Sequence, residues 1–275
     1  MSTITAALVV FNEEERVEGL LRSLKWCDEI VVLDKSSTDR TREIAARYTD
    51  RIVTAPYSGF DIGGLRRLRD ESASEWILWV YASDLVTPAL AKEVRQLISG
   101  DLPYDVIEVP YRRFVLGIGD PSSPWYGSGF HPAVMRRSAI AFRDDDVHGA
   151  ILSNSARILR MQDAADGAFL YHLTHPTIDM MMERHIRYCR AEGELGSERL
   201  SLRRTAASVL RSLFDVVVRR RTLFRGWNGV ALSFAWMSYW MLRYLYIWER
   251  KRSRAPELYA RMRREILAEW EKTSE

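Results

Sequence analysis

Asn12, Glu13 and Glu14 follow directly on one apolar run, and Asp34 closes a second, Ile30-Val31-Val32-Leu33, with Ser36-Ser37-Thr38-Asp39 just beyond it. Amide and carboxylate oxygens at neighbouring strand tips can accept hydrogen bonds from ribose hydroxyls or from a base N–H. In open α/β sheets such crevices beyond the strand ends are where ligands bind. The pattern therefore points to a nucleotide pocket. The competing structural reading is that Glu13–Glu15 favour a helix start and that Asp34 opens a turn. His172 and His175, with two residues between them, have no third metal ligand nearby in the sequence, so their spacing does not make a zinc site.

These residues need a scaffold that delivers strand tips side by side. Strand-like apolar runs occur at about 4–10, 29–34, 51–54, 75–81 and 105–110, with helical patterns near 13–24, 39–48, 63–73 and 88–99. This alternation predicts an α/β fold with a mostly parallel sheet and right-handed crossovers. Ser37 or Thr38 is expected to cap the second helix, and Thr87-Pro88 to start the fourth. Gly63-Gly64 weakens the third. Loop chemistry dominates 114–130, a short β section is expected at 131–142, a helix at 177–192, and an arginine-rich helical region over 200–268. The expected division is 1–113 for the nucleotide-binding half, 114–199 for the acceptor half and 200–275 for a helical region facing membrane or partner.

The 275 residues, 47% hydrophobic and 28% charged, describe a globular chain. Two cysteines, Cys27 and Cys189, make no disulfide framework, which suits a reducing, cytoplasmic setting. The N-terminus shows no basic region followed by an apolar segment of the signal-peptide kind. Arginines 199, 203, 204, 211, 219, 220, 221 and 225 face a single acid, Asp215, over the same stretch, which implies an anionic partner. No nucleic-acid-binding motif accompanies them.

The blocks VVFNEEE, LKWCDEIVVLDKSSTDRTREIA, SGF at 58–60, EWILW at 75–79, LVTPAL at 85–90, MRRSAIAFRDDDVHG and YHLTH at 171–175, with Arg225-Gly226-Trp227-Asn228-Gly229 before an aromatic helix, resemble family-2 glycosyltransferases of the GT-A fold. The lipopolysaccharide-core glucosyltransferase branch is the nearest likeness. The resemblance implies a nucleotide-sugar donor and inverting transfer; it leaves the base open, with UDP the first nucleotide to test. It places Asn12, Glu13 and Asp34 around base and ribose with Ser36 beside them, and His172 beneath the site.

The chain departs from that family in three places. The family's Asp-x-Asp element, whose second aspartate holds Mg2+ or Mn2+, aligns with Tyr81 and Ser83, leaving Asp84 one place late. Asp84 could take the cation, arginines could stabilise the diphosphate without one, or the site could be inactive. The family's diphosphate-side lysine is replaced by glycine, with Arg66 and Arg67 nearby as either phosphate ligands or surface charges. The expected catalytic glutamate is absent at Val147-His148-Gly149, so Asp145, Asp146 or His148 is the candidate base. Tyr126 and His131 are expected on the acceptor side.

Three activities follow as alternatives: sugar transfer to a glycan, glycolipid or small-molecule hydroxyl; a non-catalytic nucleotide-binding or scaffold subunit; and transfer to a polyprenyl phosphate. Residues 227–248 are apolar over a bilayer's length, but Ser233, Ser238 and Arg243 interrupt them and aromatics occur throughout. With the basic stretch before it, this predicts helices lying on anionic lipid at the inner face of the cytoplasmic membrane. A buried helix or a seam between two copies of the chain is the alternative, and a transmembrane helix is a lesser one because Arg243 would be costly inside a span.

Overall fold

The computed structural model describes residues 2–57, 62–100, 103–121, 123–125, 129–142, 156–162, 167–196 and 201–273. Three parallel neighbours form the centre. β1 (Ile4–Val10) lies between β2 (Glu29–Asp34) and β4 (Trp76–Tyr81), and β3 (Ile52–Thr54) pairs with β2 at the edge. These strands are apolar on both faces because helices cover both faces. Ala6, Leu8 and Val10 join Trp76, Leu78 and Val80 in one core, whereas Ala7, Val31, Leu33, Ile77 and Trp79 join the other. The strand period of two divides the run between them.

α1 (Val17–Ser23) buries Val17, Leu20 and Leu21 in the first core. α3 (Ile62–Glu71) forms despite Gly63-Gly64 and places Leu68 in the second. α4 (Pro88–Ser99) begins as expected, with Thr87 Oγ1 accepting from the Leu90 amide and proline in its first turn. α2 (Thr41–Ala45) is shorter than expected and is not capped by Ser37 or Thr38. Asp39 Oδ1 instead accepts from the Thr41 amide, while Ser37 and Thr38 turn toward Asn12.

Beyond β4 the sheet becomes mixed. β7 (Phe130–Arg136) runs antiparallel to both β4 and the long β6 (Val106–Val115), and β8 (Ile158–Arg160) pairs with β6. The far half of β6 pairs with β9 (Leu170–Thr174), which carries the short β5 (Asp84–Val86) on its other edge. The path is β3-β2-β1-β4-β7-β6-β9-β5. β5 and β9 escaped the sequence reading, and their pairing sets Asp84 opposite His172.

α5 (Ile178–Gly196), α6 (Leu202–Phe214), α7 (Gly226–Arg252) and α8 (Ala255–Thr273) complete the chain. An aromatic box joins the first and third of these to the sheet side. Trp125 stacks flat on His185 of α5, with ring centroids 5.5 Å apart, and meets Trp236 of α7 edge-on at 5.1 Å. His175 and His185 lie 5.4 Å apart in the same box. A sharp reversal at Arg221 and Gly226, both with positive φ, lets α7 fold back. Gly229 then packs so closely that a Cβ would lie 2.1 Å from the Thr222 carbonyl oxygen. No described helix is long and apolar enough to cross a membrane.

Candidate donor site at the strand tips

The chain leaves β1 through Asn12 and β2 through Ser36, both in left-handed conformation (φ 52° and 58°). The two tips are laced together. The Asn12 amide donates to Ser37 Oγ at 3.0 Å, and Asn12 Oδ1 accepts from the Thr38 amide at 2.9 Å. The Glu13 amide donates to Thr41 Oγ1, and the Glu14 amide to Asp39 Oδ2. Asp34 Oδ1 accepts from the Ser37 amide at 3.0 Å, and Ser36 Oγ donates to the Ala55 carbonyl.

Asn12, Glu13, Asp34 and Ser36 are thus brought to one corner. Their accessibility differs. Asn12 and Ser36 are exposed, Glu13 is partly covered, and Asp34 is 1% exposed and serves the turn behind it. Glu13 is gripped by two guanidiniums, Arg16 within α1's approach and Arg184 of α5, whose Nη2 lies 3.0 Å from Oε1. Burial pushes the Glu13 carboxyl up, against the pull of Arg16 and Arg187.

The tip of β4 holds a second group. Asp84 is 1% exposed; its Oδ2 accepts from the Tyr81 amide at 2.8 Å and its Oδ1 lies 2.6 Å from His172 Nδ1. Ser83 Oγ is 3.3 Å from the same ring nitrogen. Tyr111 stacks on His131 at 4.9 Å and lies 5.4 Å from His172, with Tyr81 and the Arg113 guanidinium beside them. Burial lowers His131 to about 4, which keeps its ring neutral near neutral pH. The surroundings push the Tyr81 phenol up to about 12, a shift its 40% exposure tempers, so its hydroxyl stays a donor.

A divalent cation does not fit this tip as it stands. Tyr81 and Ser83 offer neutral hydroxyls, and the only carboxylate of the stretch is sealed with both oxygens engaged. Among the described residues no group of three or more His, Cys, Asp or Glu side chains is arranged for a metal. Arg66 and Arg67 are exposed on α3, with Arg67 Nε 3.9 Å from Glu71 on the same helix. Asp145, Asp146, His148 and Tyr126 lie outside the described residues. A hollow of about 440 Å³ lined by Trp26, Lys25, Lys92 and Arg95 lies between α1 and α4, and no candidate residue lines it.

Residues 5–114 match the model of glycosyl transferase family 2. That segment is a family-2 glycosyltransferase domain. It contains every described donor-side candidate, from Asn12 to Asp84. Among curated relatives, an uncharacterized glycosyltransferase of Rickettsia bellii is 29% identical over 97 residues, 35% of this chain and 33% of that protein. The lipopolysaccharide core biosynthesis glycosyltransferase LpsC of Rhizobium meliloti is 26% identical over 122 residues, 42% of this chain and 44% of its own length. The chain spans less than half the length of these relatives. Among solved structures, S. aureus TarS in complex with UDP-GlcNAc matches at a TM-score of 0.50 and 14% identity, covering 91% of this chain and 92% of that one. A glucosyl-3-phosphoglycerate synthase from Mycobacterium tuberculosis, solved with Mg2+ and UDP, is 20% identical over half of this chain and 58% of that one, at a TM-score of 0.36. The fold is GT-A, extended by the C-terminal helices.

Sequence reasoning did not single out Arg16, Arg113, Arg184 and Arg187, which the structure brings to these strand tips. Arg184 and Arg187 sit in MMMERHIRYCRAE, which reads as a helix without showing which of its charges meet the strand tips.

Proposed function

We propose that the protein transfers a sugar from a nucleoside-diphosphate donor to a hydroxyl of a glycan, glycolipid or small-molecule acceptor, with inversion. The observation that carries the reading is the lacing of the β1 and β2 tips, which presents Asn12, Glu13 and Ser36 at the carboxyl edge of a parallel sheet. Asn12 and Glu13 offer acceptors for base N–H and ribose hydroxyls, and Asp34 holds the floor through the Ser37 amide. In the reaction the acceptor oxygen bonds to the anomeric carbon as the bond from that carbon to the diphosphate oxygen breaks. The electron pair leaves with the nucleoside diphosphate, and the hydroxyl proton passes to a base in the 144–148 stretch, where Asp145, Asp146 and His148 are the candidates. His131 and the neighbouring Tyr111 would form the acceptor side of the cleft. Residues 1–113 would bind the nucleoside part of the donor, 114–199 would shape the acceptor site and lend α5 to the donor corner, and 200–275 would carry the partner-facing helices.

Incubation with a panel of labelled sugar nucleotides, with and without bacterial glycolipid extract, tests this. Transfer of label from at least one donor is expected. A second reading, a nucleotide-binding subunit without turnover, is favoured by Tyr81 and Ser83 standing where carboxylates would hold a cation. Binding without transfer or donor hydrolysis would select it. Label recovered on polyprenyl phosphate rather than on a sugar hydroxyl would select the lipid-phosphate activity.

The C-terminal helices favour peripheral attachment to anionic lipid. Trp227 is 88% exposed, and Leu210, Phe214, Phe224 and Phe234 are exposed among Arg203, Arg211, Arg219 and Arg225. Co-sedimentation with phosphatidylglycerol vesicles, lost on pure phosphatidylcholine or at high salt, is expected. Binding to neither vesicle would leave a second copy of the chain as the alternative cover, read from the molar mass in solution.

A further inference from the structure

We propose that the donor's diphosphate is gripped by guanidinium groups, chiefly Arg184 and Arg187 of α5, and that no divalent cation takes part. This rests on the donor reading above and names how the same site meets its charge.

A nucleoside diphosphate brings at least two negative charges to the tips of β1 and β4, and these must be balanced where water is scarce. The tip of β4 has no free carboxylate through which a cation could enter: Asp84 is sealed between the Tyr81 amide and the His172 ring. Replacing two acids and one dication by two neutral hydroxyls leaves the net charge of that tip unchanged but removes the cation that would face the ligand. The cations that face the ligand must then come from elsewhere.

α5 supplies them. It packs against the tip of β1: Arg184 reaches Glu13 at 3.0 Å, and the Arg187 guanidinium lies 5.9 Å from the Phe11 ring centre. The single charge of Glu13 is shared by Arg16 and Arg184, while Arg187 makes no ion pair among the described residues. Arg16 Nη1 and Arg113 Nε are buried donors without a hydrogen-bond partner among the described residues. Asp34, Glu14 and Asp39 are turned to backbone amides of the same corner, so Arg187 and these N–H groups remain without a carboxylate partner among the described residues. Guanidinium presents paired donors that match two phosphate oxygens at once. When the diphosphate enters, Arg184 exchanges Glu13 for a phosphate oxygen. Glu13 stays paired with Arg16 and gains a free oxygen for the ribose.

Calorimetric titration of the full chain with nucleoside diphosphates and their monophosphates (UDP and UMP, GDP and GMP, CDP and CMP), in EDTA and in MnCl2, tests the proposal. The readout is the ratio of monophosphate to diphosphate Kd for the base that binds best. Manganese is expected to change that ratio by less than about threefold. The double variant R184Q/R187Q is expected to reduce it roughly 10- to 100-fold while monophosphate Kd moves little, with R184K/R187K between the two. R187Q alone, which leaves the Glu13 pair in place, is expected to reduce it about tenfold, and thermal melts establish that each variant is folded. A diphosphate affinity that needs manganese overturns the proposal but leaves the donor reading standing. So does an equal loss of both affinities in the arginine variants. Absence of binding by every nucleotide overturns both.

Discussion

Asn12 adopts a left-handed conformation that asparagine tolerates better than other residues with a Cβ, and its amide oxygen ties the β1 tip to Thr38. Asn12→Ala removes both advantages and is expected to lower stability by about 1–2 kcal/mol. Asn12→Gly restores the backbone freedom and loses only the tie, so its melting temperature should lie between alanine and wild type. Both should weaken donor binding about tenfold if the amide also meets the nucleotide. Wild-type affinity in both variants would reduce Asn12 to a brace. Two other side chains set a pH dependence. Burial lowers His175 and His185 to about 4. In the unfolded chain both titrate near 6.5, so the unfolded state binds more protons between about pH 6.5 and 4. Stability should therefore be level above pH 6.5 and fall through that window, by on the order of 3 kcal/mol per ring at most. Denaturant midpoints across pH 4–8 would show it, and the His185→Phe variant should flatten the slope.

At the scale of elements, the strands that carry the site were legible because they are long apolar runs that must be covered on both faces. β5 and β9 were not, since one has three residues and the other, Leu170–Thr174, mixes histidine with apolar residues in no regular alternation. Their pairing, which joins Asp84 to His172, is a product of topology. The same holds for α5: its periodicity was visible, but only packing reveals that Arg184 faces Glu13. The position of α2 was legible and its cap was not, because three hydroxyl and carboxylate side chains competed and Asp39 took the Thr41 amide. In Arg225–Gly229 the structure gives each glycine a physical cause. Gly229→Ala should force α7 away from the Thr222 carbonyl and cost about 1–3 kcal/mol, measured by urea unfolding.

The molecule as a whole joins a segment that matches family 2, ending at residue 114, to helices of which α5 reaches back to the β1 tip. α5 contributes to both regions, with Arg184 on Glu13 at one side and His185 in the aromatic box with α7 at the other. Consecutive residues of one helix thus touch the β1 tip and the aromatic box shared with α7. Lipid attachment and donor binding should be coupled if α7 shifts on the membrane. The nucleotide Kd measured with and without phosphatidylglycerol vesicles would show a change, and an unchanged Kd would mean the two surfaces act independently.

The flat stack of Trp125 on His185 gives the protein an optical signal of its own. The emission of the indole depends on that contact. Emission subtracted between the wild type and Trp125→Phe would therefore report any displacement of α5 against Trp125 without an attached dye.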